Sequence, residues 1–374
     1  MYLLNYDLSF TALLAERPNI HRNFACAMEE ARVNMKAVVI TRPGGPEVLE
    51  IQERSVPVPG KGEILVRVRG SALNRADLLQ RMGRYAPPPG VPSDVPGLEF
   101  SGTVVATGEN ATLWRVGDRV CGLVAGGAHA EYLVTHERAA AGVPLSLNWR
   151  SSGASPEAFI TAHDALSSQA RLRPGESVLI HAVGSGVGLA AVGLAKAFGA
   201  TVYGTARGAD KLAAARDAGM TDGMIPGDES IANAAMRWTG GGGVDVVLDL
   251  VGGSYTAESV EAMAPRGRLM LVGTLAGAQA TLNLGRILSR RLTIQGTVLR
   301  SRPLEERIMV TQLFAREVLP LLASGVLAPH IHQAFGMDAI ADAHRLLESN
   351  ATIGKVAIDV SGADDLQDEG SRAT

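Results

Sequence analysis

Three glycines and two cations lie at spacings that suit a phosphorylated dinucleotide. In residues 177–199, SVLIHAVGSGVGLAAVGLAKAFG, the hydrophobic period changes at a glycine cluster. Val178, Leu179 and Ile180 read as a parallel strand buried on both faces. The run Gly184-Ser185-Gly186-Val187-Gly188 follows, where glycines let backbone amides approach a pyrophosphate. An Ala-rich helix over Leu189 to Phe198 then offers its N-terminus to that anion. The next apolar run, Thr201-Val202-Tyr203-Gly204, ends in Thr205-Ala206-Arg207 with Lys211 beyond, where an acid would accept from a ribose 2′-hydroxyl. Cations in place of that acid predict a 2′-phosphate, and so NADPH.

The strict G-x-G-x-x-G pattern does not register, because a glycine falls at 188 rather than 189, and the chain has 43 glycines. On the loop alone, a tight strand-to-helix turn remains open. Further apolar, glycine-ended runs at 245–253, 268–274 and 292–298 leave room for crossover helices. Together they predict an α/β fold, a Rossmann doubly wound parallel sheet. Between Met35 and about Gly153 the pattern is instead β-rich, with alternating Glu63–Arg69, then 100–108, 118–124 and 130–134, separated by Pro/Gly turns. The chain returns to helix over 304–324 and 337–349, with a short strand at Ile331 and a final strand, 354–360, that pairs back into the first half.

At 374 residues with 46% apolar content, two cores are expected. A net charge of −3, from 35 basic and 38 acidic residues without a single-sign block, predicts neither a nucleic-acid nor a membrane partner. Cys26 and Cys121 are the only cysteines, which excludes a disulfide framework and predicts a reducing, cytoplasmic setting. Residues 1–34 carry acids and a proline too early for a secretory signal. They read either as an extension upstream of a natural start at Met35, or as a short helical arm. The 361–374 tail is polar and predicted to be disordered.

The order of these parts resembles the medium-chain dehydrogenase/reductase superfamily. The runs at 71–78 (SALNRADL), 83–90 (GRYAPPPG), 97–102 (GLEFSG), 156–159 (PEAF), 299–302 (LRSR) and 350–355 are similar to its zinc-independent NADPH:quinone oxidoreductase branch. The spacing Ala182-x-x-Ser185-x-x-Gly188 resembles the loop of the quinone reductases induced by a tumour suppressor. The resemblance implies a chaperonin-10-like (GroES-like) substrate domain at 35–155, a Rossmann domain at 156–303 and a C-terminal return at 304–360. No metal is expected, since Asn74 and Leu98 stand where the zinc branch carries Cys and His.

Catalytic roles carried over by the resemblance fall on Tyr85 and Asn74, near the acceptor oxygen. Further cofactor contacts carried over are Thr161, Gly252, Gly253, Ser254, Val272, Gly273, Thr274, Leu299, Arg300 and Ser301, with Lys355 reaching a phosphate. One departure is Ile225-Pro226, where relatives carry an Asn-Tyr pair near the adenine. The leading expectation is a homodimeric quinone reductase. Alternatives are reduction of an enone or enoyl thioester, where a long acyl carrier would need a basic entrance with only Arg75, Arg81 and Arg84 as candidates, and NADPH binding with little turnover.

Overall fold

The computed structural model describes residues 33–227 and 229–360. The 361–374 tail and all but the last two residues of the 1–34 extension lie outside the described residues.

Alternating burial organises the first half. β1 (Asn34–Ile40) pairs antiparallel with β2 (Leu49–Ser55), from Asn34 opposite Ser55 to Ile40 opposite Leu49. β3 (Glu63–Leu73) is followed by α1 (Arg75–Arg81), then β4 (Glu99–Thr107), β5 (Arg119–Leu123), β6 (Tyr132–His136) and β7 (Ala140–Gly142). The order β3-β4-β5-β7 is antiparallel throughout, and β6 pairs with the start of β3. Two short helices lead out of this sheet. α2 (Trp149–Gly153) is capped by Asn148, whose side chain accepts from Ser151 N–H, and α3 (Pro156–His163) begins with a proline whose missing N–H costs nothing there.

The second half alternates strand and helix: β8 (Ser177–Ile180), α4 (Gly186–Ala197), β9 (Thr201–Thr205), α5 (Ala209–Asp217), β10 (Asp222–Met224), α6 (Ile231–Trp238), β11 (Val244–Asp249), α7 (Ser254–Ala262), β12 (Met263–Leu271), α8 (Leu284–Arg290) and β13 (Thr293–Gly296). All neighbours are parallel, in the order β10-β9-β8-β11-β12-β13. Strand order reverses between β8 and β11, which opens a crevice beyond their C-terminal ends. Val178, Leu179 and Ile180 are fully buried, each contributing roughly 1.5–3 kcal/mol.

The chain then forms α9 (Leu304–Leu313), α10 (Leu319–Ala323), β14 (Ile331–Gly336), α11 (Ile340–Glu348) and β15 (Lys355–Asp359). β15 lies antiparallel to the end of β3 and parallel to β14, extending the first sheet. The main core crosses from one half to the other. Cys121, Leu123, Ala141 and Val143 pack in one cluster with Val178, Ile180, Phe159 and Phe314.

Candidate active site

The glycine loop begins where β8 ends. Ala182 is held at a left-handed φ of 51°, a conformation costly for a residue with a Cβ and typical of strained functional turns. The Ser185 hydroxyl accepts from Gly188 N–H at 3.0 Å, capping α4, which therefore starts inside the glycine run rather than at Leu189. A Cβ at Gly188 would overlap the Ala182 carbonyl oxygen, and at Gly184 would lie 2.7 Å from the Lys211 Cβ. The first turn of α4 carries no acid and its last turn carries Lys196, so the helix dipole is left open to an anion at its N-terminus.

Beyond β9, three cations gather. Arg207 is exposed, Lys211 donates to the Asn350 carbonyl at 2.5 Å, and Arg75, from α1 of the other half, donates to the Asn350 side chain at 2.8 Å. Burial, followed by repulsion from Arg207, lowers the pKa of both Arg75 and Lys211. A cluster whose members repel one another suits a dianionic 2′-phosphate. Thr205 is buried, and its hydroxyl pairs with His181 Nδ1 at 3.0 Å, while His181 Nε2 meets Ser259 Oγ at 2.8 Å. Burial pushes the His181 pKa down to about 4. Ile225 is exposed where the resemblance expects an Asn-Tyr pair, and the sequence reading missed Tyr255, a half-buried ring edge-on to His181 and within electrostatic reach of Arg207.

On the β-rich side a buried network replaces free polar groups. The Lys355 ammonium lies 2.6 Å from Glu99 Oε1, 2.6 Å from Asn74 Oδ1 and 3.1 Å from the Leu73 carbonyl. Asn74 Nδ2 donates to Glu99 Oε1 at 2.9 Å, and the Asn74 backbone N–H donates to Asp77 Oδ2 at 2.7 Å. Both ends of the Asn74 amide are thus committed within the protein, because the opposed charges of Glu99 and Lys355 converge on it. Lys355 is likewise turned from a phosphate contact to this pair, and only its methylene stem runs against Gly186. Gly354, beside it, donates to the Gly184 carbonyl at 2.8 Å, tying β15 to the glycine loop.

Tyr85 stacks under Arg300, whose guanidinium lies 4.8 Å from its ring centroid. Arg300 is spent as a strap between the halves, donating to the Ala125 carbonyl, the Tyr85 carbonyl and Gln80 Oε1. Burial raises the Tyr85 phenol pKa. Arg81 is fully buried and paired with Glu348, so it is no part of a basic entrance.

Of the remaining expected residues, Thr161 is buried on α3 and Leu299 is buried, while Ser301 and Ser254 are exposed. Gly252 and Gly253 take φ of 74° and 58° in a turn organised by buried Asp249, which accepts from Val251 and Gly252 N–H and from the Thr256 hydroxyl. Val272, Gly273 and Thr274 line a shallow depression of about 310 Å³ with Thr297 and Val298. No three His, Cys, Asp or Glu side chains converge as a metal set among the described residues.

The family models agree with this architecture. Residues 60–145 match the alcohol dehydrogenase GroES-like domain and residues 186–316 the zinc-binding dehydrogenase model. A quinone oxidoreductase of Pseudomonas aeruginosa is 34% identical over 320 residues, covering 84% of this chain and 96% of its own. The Escherichia coli quinone oxidoreductase solved with NADPH superposes with a TM-score of 0.77 at 29% identity, covering 87% and 99% of the two chains. A Pseudomonas syringae quinone oxidoreductase gives 0.79 at 29%, covering 87% and 100%. With its GroES-like sheet, its Rossmann sheet and its 34% identity to a quinone oxidoreductase, the chain belongs to the quinone oxidoreductase family of medium-chain dehydrogenases/reductases.

Proposed function

We propose that the chain is a zinc-independent, NADPH-dependent quinone oxidoreductase. Gly184 to Gly188 and the α4 N-terminus would hold the pyrophosphate, and Arg207, Lys211 and Arg75 the 2′-phosphate. The bound cofactor supplies a hydride from its nicotinamide C4. The observation that carries the reading is that two ends of one cleft differ in character. One end gathers cations suited to a phosphate. At the other, Asn74 Oδ1 and Glu99 Oε1 are tied to the Lys355 ammonium. An acceptor that delocalises charge needs no Lewis acid, and a quinone is such an acceptor.

Within this reading, Tyr85 stays protonated across the neutral range and offers both a flat ring and a donor to the acceptor oxygen. Asn74 acts by holding the Lys355–Glu99 pair in place, and Arg300 fixes the Tyr85 loop against the Rossmann half. Among the described residues no helix is long and apolar enough to cross a membrane; we place the protein in the cytoplasm. We further propose a homodimer through β13, an edge strand of the six-stranded sheet among the described residues, beside which Leu284 and Leu288 of α8 are 73% and 80% exposed.

Stopped-flow oxidation of NADPH and NADH by 1,2-naphthoquinone and by crotonyl thioester tests the reading. Fast oxidation of NADPH by the quinone is the expected outcome. Turnover with the thioester alone, or tight NADPH binding without turnover by either, would overturn it.

A further inference from the structure

Reducing a quinone by hydride consumes one proton for each pair of electrons, and that proton needs a source at the acceptor end. Tyr85 is a poor one near neutrality, because burial raises a pKa already far above working pH, and Brønsted behaviour favours acids whose pKa lies near it. A second titratable group lies within electrostatic reach of Tyr85, on a helix whose start is bonded to the Glu99 carboxylate that also accepts from Asn74. Glu157, at the second position of α3, is surrounded by protein yet keeps partial solvent access, as a side chain lining a cleft does. Its backbone N–H donates to Glu99 Oε2 at 2.9 Å, which fixes the start of the helix, while its carboxyl makes no hydrogen bond among the described residues.

Five groups lie within electrostatic reach of this carboxyl. They are Glu99 of β4, Lys355 of β15, Asp77 of α1, Arg300 after β13, and Tyr85. Both cations are already used, Lys355 by Glu99 and Asn74, and Arg300 by two carbonyls and Gln80. The two other carboxylates repel a further negative charge. Burial first, then Glu99, raises the Glu157 pKa to about 8. A place in the first turn of a helix would by itself favour the anion, so the protonated state comes from these surroundings.

We propose, resting on the quinone reductase reading, that Glu157 is the carboxylic acid that protonates the acceptor oxygen as the hydride arrives. The Glu157 Oε–H bond breaks and an O–H bond forms on the quinone oxygen. Hydride and proton together convert quinone to hydroquinone, and water returns a proton to the carboxylate through the open side of the cleft. Tyr85 then stacks and orients rather than donating the proton.

Two measurements test this. The first is an infrared pH titration of the cofactor-free protein, following the carbonyl stretch of protonated carboxyl groups. A band that titrates near pH 8 and is missing in Glu157→Gln is expected; loss of all carboxyl bands by pH 6, or a band unchanged in Glu157→Gln, overturns the proposal. The second is kcat/KM against pH with NADPH and 1,2-naphthoquinone. The wild type should fall above about pH 8. Glu157→Gln should be lowered at least ~100-fold, with a pH profile flat on that limb and unaltered NADPH affinity. Glu157→Asp should regain a titrating limb. A Glu157→Gln enzyme with the wild-type rate and profile overturns the role, whereas a wild type inert toward quinone overturns the functional reading beneath it.

Discussion

Replacing Lys355 with methionine isolates the network that organises the acceptor end of the cleft. Lys355 and Glu99 are 5% and 0% exposed in their side chains and 2.6 Å apart. Removing the ammonium leaves Glu99 buried with hydrogen bonds from Asn74 Nδ2 and Glu157 N–H, each 2.9 Å, but with no opposite charge. Stranding one partner of a buried pair costs about 3–5 kcal/mol. At roughly 2–4 °C per kcal/mol for a domain of this size, the first unfolding transition should fall by about 6–20 °C. Removing both charges, in Lys355→Met with Glu99→Gln, should recover most of that loss, because a neutral amide keeps a hydrogen-bond acceptor for Asn74 and no charge remains to be solvated. Thermal and urea unfolding of the wild type, both single variants and the double variant, followed by circular dichroism, supplies the cycle. A Lys355→Met cost below ~1 kcal/mol, or a double variant as unstable as the sum of the singles, would refute the reasoning.

Three further outcomes are expected. Arg207→Ser combined with Lys211→Ser should weaken NADPH binding by roughly 10- to 150-fold, the worth of charge-assisted hydrogen bonds, and leave NADH binding nearly unchanged in a fluorescence titration. Gly188→Val forces atoms into the Ala182 carbonyl and Val183, so NADPH should no longer raise its melting temperature. Leu288→Asp places a charge on the exposed face of α8; sedimentation at micromolar concentration should show a dimer for the wild type and a monomer for the variant, and a monomeric wild type would sink the interface.

The Rossmann sheet is legible in the sequence because its central strands are buried on both faces and so read as unbroken apolar runs. Val178–Ile180 and Val246–Leu248 have no exposed face to encode. β2, β7 and β10 carry no such signal: β2 is mostly polar, and β7 and β10 are three residues each, too short for a period to show. Arg207 and Lys211 are visible as cations where an acid is usual, since their meaning is local. Glu157 is not visible, because a carboxylate in the first turn of a helix is ordinary. What distinguishes it is Glu99, Asp77 and Lys355, gathered by folding from distant parts of the chain. Asn74 shows the same limit. Its amide reads as free until a lysine 281 residues away closes on it.

The packing of Cys121, Leu123, Ala141 and Val143 with the strands and helices of the nucleotide half has a bearing on how such chains can be recombined. The seam between the halves is not a linker that could be cut and rejoined, but a stretch of interior to which both sides supply side chains. A chimera carrying the GroES-like half of one relative and the Rossmann half of another would inherit mismatched volumes along that seam. Its first defect would then be poor refolding and a lowered melting temperature, before any change in what it reduces. Grafts bounded instead by the Tyr85 loop leave this apolar seam intact and need keep only the contacts of that loop with Arg300, so acceptor preference is more readily moved between relatives of this architecture than a whole half.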